Sequence, residues 1–314
     1  MKSLGVIIPV LISVAFVTLV ERKILGSIQI RTGPNTVGLV GVMQPIADGL
    51  KLFSKETIIP TQSNNLIFIV APILGLTMAL VSWSVIPFGV GMVVVDWSLG
   101  LIFIMAISSI SIYSMIMSGW SSNCQYSFFG SIRASAQMIS YEVSLGLIIL
   151  SIIISSGELN LTAIVISQYE IWYILPQFPA FILFFISSLA ETNRSPFDLT
   201  EGESELVSGY NTEYSAMAFA LFFLAEYSHI IIMSILITIL FLGGWLPLFS
   251  TFLPLPWLGL KIMFIIYSFI WVRGSYPRMR YDQLMILLWK SYLPLSLGWL
   301  LLVFSILLSW LSGF

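Results

Sequence analysis

Ser215-Ala-Met-Ala-Phe-Ala-Leu-Phe-Phe-Leu-Ala-Glu-Tyr-Ser-His-Ile-Ile-Ile-Met-Ser-Ile-Leu-Ile-Thr-Ile-Leu-Phe-Leu242 is the stretch that decides the fold. As a helix it is long enough to cross about 30 Å of hydrocarbon. It is interrupted only by Glu226 and His229. Seven further apolar runs of comparable kind lie to either side: Met1–Val20, Leu66–Pro87, Leu99–Met117, Ala134–Ser155, Ile171–Leu189, Trp257–Val272 and Leu284–Leu311. Lipid offers backbone groups no water, so each run must be helical. No soluble domain or linker separates them. The expectation is an all-α integral membrane protein with eight transmembrane helices, residues 1–314 forming a single polytopic membrane domain.

Composition supports this. The chain is 58% hydrophobic and only 9% charged, where soluble domains run at about 25% charged. Its mean hydropathy is +0.99. A net charge of −2 leaves no basic footprint for nucleic acid. Cys124 is the only cysteine and His229 the only histidine. An iron–sulfur cluster usually takes four cysteines, and a structural zinc several Cys or His. Neither GxGxxG after a strand pattern nor GxxxxGK[ST] occurs. Any redox carrier is therefore expected in other subunits. Met1–Val20 reads as a retained first membrane helix rather than a cleaved leader. Asn160-Leu-Thr162 and Asn193-Arg-Ser195 match the glycosylation tripeptide, a pattern frequent by chance.

The loops fix an orientation. Connections after the first, third, fifth and seventh runs hold Arg22, Lys23, Arg31, Lys51, Lys55, Arg133, Arg194, Arg273, Arg278 and Arg280, ten of the 13 basic residues. Those after the second, fourth and sixth hold none. The positive-inside rule assigns the ten to the cytoplasmic or matrix face, with both termini opposite. Within the long Glu21–Asn65 connection, Pro45 suits the first turn of a short helix. There Ile46, Leu50 and Phe53 form one stripe, and Asp48, Lys51 and Lys55 another. This predicts an amphipathic surface helix in the first matrix-side loop, serving as an anchor or as the lip of an opening for an amphipathic ligand.

Charges inside the apolar runs carry the functional signal. Glu142 lies nine residues past Arg133, about 13 Å along a helix. Glu226 lies near the middle of its run. An ionised carboxylate at the bilayer centre costs about 2.5–3.5 kcal/mol even on the lenient scale. Each must face water, find a partner or become neutral. Two readings follow: a proton path, or glutamates bonded to Tyr141, Tyr227 or a neighbouring helix as packing glue. His229 falls on the Glu226 face and can join a relay or simply be hydrogen-bonded in place. The fifth connection, Glu191-Thr-Asn-Arg-Ser-Pro-Phe-Asp-Leu-Thr-Glu-Gly-Glu-Ser-Glu205, crowds Asp198, Glu201, Glu203 and Glu205 around Arg194 and runs on to Glu213. Crowded carboxylates titrate as a group. The apolar pairs Pro196-Phe197 and Leu206-Val207 suggest that this loop folds back onto protein.

The sequence of these segments resembles a known family. The matching stretches are Glu21-Arg-Lys-Ile-Leu-Gly26, Gln29-Ile-Arg-Thr-Gly-Pro-Asn35, Gln44-Pro-Ile-Ala-Asp48 and Lys51-Leu-Phe53. They continue through Ser140-Tyr-Glu-Val143, Leu189-Ala-Glu-Thr-Asn-Arg194, Glu201-Gly-Glu-Ser-Glu-Leu-Val-Ser-Gly209, Ala225-Glu-Tyr227 and Tyr276-Pro-Arg278. Together they are similar to the quinone-site membrane subunit of NADH–ubiquinone oxidoreductase, respiratory complex I. His229 departs from the family pattern. The resemblance implies an eight-helix subunit at the junction of membrane and peripheral arms, in the mitochondrial inner membrane. Ubiquinone is then the substrate, nothing is bound covalently, and FMN and iron–sulfur clusters sit in partner subunits. It assigns Arg22, Arg31, Asp48, Phe53, Arg194, Phe197, Arg273 and Arg278 to the quinone tunnel. Glu142, Glu191, Asp198, Glu201, Glu203, Glu205, Glu213 and Glu226 fall to proton coupling. The chain alone holds no complete catalytic site. A homologous subunit of a hydrogenase- or plastid-type complex fits many of the same residues. A stand-alone transporter would call for an inverted repeat that the sequence does not display.

Overall fold

A computed structural model of the chain describes residues 2–198, 209–247 and 254–311. Among the described residues there are helices, turns and no strands. The helices are α1 (Lys2–Ile28), α2 (Gln44–Ser54), α3 (Asn65–Ser82), α4 (Gly100–Ser121), α5 (Gln125–Ser156), α6 (Leu161–Ser167), α7 (Phe178–Glu191), α8 (Ala216–Phe241), α9 (Pro254–Ser275), α10 (Tyr281–Leu287) and α11 (Leu293–Leu311). A π-helical turn, Leu288–Tyr292, joins α10 to α11 without a break in direction.

Seven of these segments are long and apolar enough to cross a membrane: six single helices, and the unit made by α10, the π turn and α11. The fifth predicted run differs. Its helix starts only at Phe178 and has 14 residues, about 21 Å. Pro176 and Pro179 explain the late start, because proline donates no N–H and clashes with the preceding turn except at a helix's first positions. The non-helical lead-in is still satisfied. Ile174 N–H donates to the Phe241 carbonyl at 3.0 Å, and Gln177 N–H to that of Tyr173 at 2.9 Å. Buried backbone outside a helix is tolerated only with such partners. Asn160 caps α6 by accepting from Thr162 N–H at 3.0 Å, and its amide donates to Asp96 at 2.8 Å. That gives Asn160-Leu-Thr162 a structural role.

The first helix does not stop at Val20. It carries Glu21, Arg22 and Lys23 onward to Ile28, because those side chains lower hydropathy without opposing helix geometry.

The Glu226 helix, α8, is the hub. It packs against α1, α2, α3, α6, α7 and α9. Elsewhere the bundle closes through small side chains. Ser108, Ser111, Ser114, Ser118 and Ser121 form a buried stripe on α4, each hydroxyl donating to the carbonyl three residues earlier at 2.7–3.1 Å. This satisfies a polar group locally and leaves a slim face. Gly119 completes the stripe, since a Cβ there would stand 2.2 Å from the Ser131 hydroxyl of α5.

The two ends of the bundle differ in chemistry. At one end Arg22 pairs with Asp48, Arg194 and Arg273 meet Glu21, and Arg278 meets Asp198. At the other, Lys261 of α9 closes the C-terminus of α8. Its ammonium donates to the carbonyls of Leu242 (2.6 Å), Gly244 (2.9 Å) and Leu246 (2.8 Å) and stands 4.1 Å from the centre of the Trp172 ring. A cation there also opposes the negative end of the helix dipole. Lys261→Met is expected to leave these carbonyls bare and to cost on the order of 3 kcal/mol. The measurement is the thermal midpoint and yield of the assembled protein. An unchanged midpoint would remove Lys261 from the structural account.

Candidate functional site

Glu21 organises the basic end. It lies on the buried stripe of α1 formed by Val10, Val14 and Val17, and is itself buried. One carboxylate oxygen accepts from Arg194 at 3.3 Å and from Arg273, and the other from the Tyr227 hydroxyl at 2.6 Å. The Arg194 guanidinium also sits 4.5 Å from the Tyr227 ring centre. Four segments far apart in sequence thus share one buried ionic node. Two arginines and one acid meet here, and the Tyr227 ring adds a cation–π contact beneath Arg194.

A large apolar cavity of about 820 Å³ adjoins this node. Its wall runs along α1 from Gly5 to Val20, about 22 Å, and is completed by α8, α9 and the loop around Phe88–Val94. Val17 and Ile266 line both this cavity and the small space around Glu21.

On another face of α8 lies a small cavity of about 30 Å³, lined by apolar side chains with a few polar groups among them. Glu226 and His229 face it from α8, and Glu191 from the end of α7. Glu226 accepts from the Tyr210 hydroxyl. Tyr210 is fixed by packing, since Gly130 of α5 lets the Gly209–Tyr210 backbone approach to within 3.0 Å of where its Cβ would stand. Glu142 accepts from the Ser109 hydroxyl, and its charge acts on Glu191. Glu142, Glu191 and Glu226 thus arrive from α5, α7 and α8 in one region. Just outside the spans, burial pushes the Tyr214 phenol up to about 12, so it stays neutral beside Ser121 and stacks on Phe68 at 4.0 Å.

The other sequence-predicted residues are placed as follows. Arg22 and Asp48 form a partly exposed pair at 2.7 Å. Arg31 is exposed, and its guanidinium donates to neighbouring Gln29 at 2.8 Å. Phe53 is 70% exposed on α2, with Ile46 and Leu50 beside it, while Asp48 turns inward. Phe197 is buried against Tyr141 and lines neither cavity. Asp198 is buried and paired with Arg278 at 3.2 Å. Gln137 of α5 holds the start of the acidic loop, donating to the carbonyls of Ala190 and Phe197 at 2.9 Å each. Glu213 is half-buried between Asn211 and α8. Glu201, Glu203 and Glu205 lie outside the described residues. Among the described residues no group of three His, Cys, Asp or Glu side chains is placed to hold a metal.

Sequence reasoning missed Glu21, Tyr227 and Tyr210 as members of the site. Glu21 had a signal: it continues the Val10, Val14, Val17 spacing at i+4 and so belongs to the buried face. Nothing in the sequence joined Tyr210 to Glu226.

Comparison with known proteins agrees with this architecture. The NADH dehydrogenase family model matches residues 1–304. Chain 1 of NADH-ubiquinone oxidoreductase from Metridium senile is 60% identical over 309 residues, covering 98% of this chain and 92% of the relative. The protein of the same name from Chondrus crispus is 57% identical, with 98% and 96% covered. That from Arabidopsis thaliana is 51% identical, with 95% and 93% covered. With seven segments of membrane-crossing length and relatives of this kind over nearly its whole extent, the chain is a multi-pass inner-membrane subunit of an enzyme complex and belongs to the NADH dehydrogenase family.

Proposed function

We propose that the chain is the membrane subunit of a proton-pumping NADH:ubiquinone oxidoreductase in the mitochondrial inner membrane, and that it both admits ubiquinone and begins the proton-coupling path. It acts as one polytopic unit, with α7 and its lead-in making an eighth crossing. The basic end faces the matrix, and α2 lies on the membrane surface with Ile46, Leu50 and Phe53 toward lipid. Peripheral-arm partners carry FMN and the iron–sulfur clusters, and other membrane-arm subunits adjoin it.

One observation carries this reading: two unlike cavities flank the same helix. Phe222, Glu226, His229 and Met233 follow an i, i+4, i+7, i+11 spacing and face the small cavity that holds the carboxylates. Tyr227 faces the Glu21 node, and Ile231 and Ile235 face the apolar cavity. At 100° per residue the two sets lie roughly 170° apart. An isoprenoid tail suits the apolar cavity, and the Arg194–Arg273 node at its end suits a quinone head group that gains negative charge on reduction. A change of charge at that node then acts through Tyr227 on the helix that carries Glu226. Arg22, Arg31, Arg278, Asp48, Phe53 and Phe197 serve this path indirectly, by shaping the loops around it. Asp198, Glu201, Glu203, Glu205 and Glu213 link the head-group region to the intramembrane glutamates.

The test is tail-length dependence. Met263 is half-exposed and lines the apolar cavity. Met263→Trp should raise the KM for a long-tailed ubiquinone about fivefold, the equivalent of about 1 kcal/mol of lost tail contact. A short-tailed analogue should be unaffected. Equal effects on both quinones, or none, would count against a tail path here.

A further inference from the structure

The small cavity beside α8 is lined by two polar groups, Glu191 and His229, that make no hydrogen bond to each other among the described residues. Glu191 is 8% exposed, and its Oε2 has no hydrogen-bond partner among the described residues. His229 lines the same space and has neither a hydrogen-bonding nor a charged neighbour acting on it among the described residues. Ser114 also lines it. Its hydroxyl proton is already given to the Ser111 carbonyl at 2.7 Å, so only its lone pairs remain.

A buried carboxylate oxygen without a partner is costly, and a cavity holds water stably when it has room and two to four polar partners. Room exists: about 30 Å³ exceeds the roughly 10–15 Å³ that one water needs on this measure. The partners are complementary. Glu191 Oε2 accepts, Ser114 Oγ accepts, and an imidazole offers one donor and one acceptor nitrogen.

We propose that His229 and Glu191 share a bound water in this cavity, making His229 a positioning residue that ties the Glu191 carboxylate of α7 to the Glu226 face of α8. The inference rests on the proton-coupling reading above and adds to it a residue on which the chain departs from the pattern it otherwise resembles. The water replaces a direct contact that neither side chain makes. It gives Glu191 a hydrogen-bonded link to α8 which a leucine at position 229 cannot support.

The experiment uses the intact complex, with rates normalised to NADH oxidation by a hydrophilic acceptor. His229→Leu should lower NADH-driven quinone reduction and proton pumping at least fivefold. His229→Gln, which keeps an amide that donates and accepts, should restore both to within twofold of wild type. Rescue by glutamine is the outcome a purely steric role would not give. Equal loss in both variants, or wild-type rates in His229→Leu, overturns the proposal. A high-resolution map of the unmodified complex supplies an arm that does not depend on variants. A water within hydrogen-bonding distance of both side chains supports the proposal, and density without one overturns it. Glu191→Gln separates the two levels. If it runs at wild-type rates, the coupling reading itself fails. If it is slow while His229→Leu is normal, only the shared water fails.

Discussion

Glu226→Gln is expected to assemble normally and to lose about tenfold or more of both quinone-reductase turnover and proton pumping. Glutamine preserves the size of the side chain and can still accept from the Tyr210 hydroxyl, so the packing around Tyr210 survives. It cannot ionise. In a low-dielectric region where Glu142, Glu191 and Glu226 converge, the charge state of one carboxylate sets the proton affinity of its neighbours. Removing one titratable member should therefore interrupt the sequence of protonations rather than the fold. A structural Glu226 would tolerate the change, since a neutral amide is cheaper to bury than a charge. The measurement is NADH-driven turnover and pumping in membranes with matched amounts of assembled complex. Wild-type values for both would exclude an essential ionisable role.

Glu21→Ala is expected to fail earlier, at assembly. The substitution strands Arg194 and Arg273 beside each other without the carboxylate that holds them, and removes the acceptor of the Tyr227 hydroxyl. Taking one partner from a buried ion pair typically costs about 3–5 kcal/mol, a large share of a protein's net stability. The node also ties α1, the start of the acidic loop, α8 and α9 together, so its loss loosens one end of the bundle. Assembled complex, read on native gels, should fall steeply. Glu21→Gln separates charge from shape: it should recover assembly in part but not quinone reduction. Normal assembly of Glu21→Ala would mean that the arginines find other anions, and that the node is not what closes this end.

The helical membrane class was legible in one dimension, because eight apolar runs with little charge inside them admit no other solvent and no other backbone. The alternation of loops with and without basic residues likewise pointed to one end of the bundle as the place where basic residues collect. Glu142 and Glu226 stood out as functional candidates because a carboxylate inside an apolar run is conspicuous without any knowledge of its neighbours. Glu21 was not, since hydropathy alone ends the first span at Val20, whereas the backbone continues helically to Ile28 and carries Glu21 inward with the valine stripe. The fifth run was read as a full-length helix from its apolarity, but Pro176 and Pro179 delay its start, and the lead-in is satisfied by carbonyls such as that of Phe241. Packing alone brings the distant groups together: Glu21 with Arg194, Arg273 and Tyr227, Glu226 with Tyr210, Glu191 and His229 on the wall of one cavity, and Lys261 on the end of α8. The physical reason is that apolar periodicity fixes how much of a helix is buried but not against what. Every face of α8 is largely apolar, so its partners are set by the small-residue and ionic contacts of the helices around it, and those contacts exist only once the chain has packed.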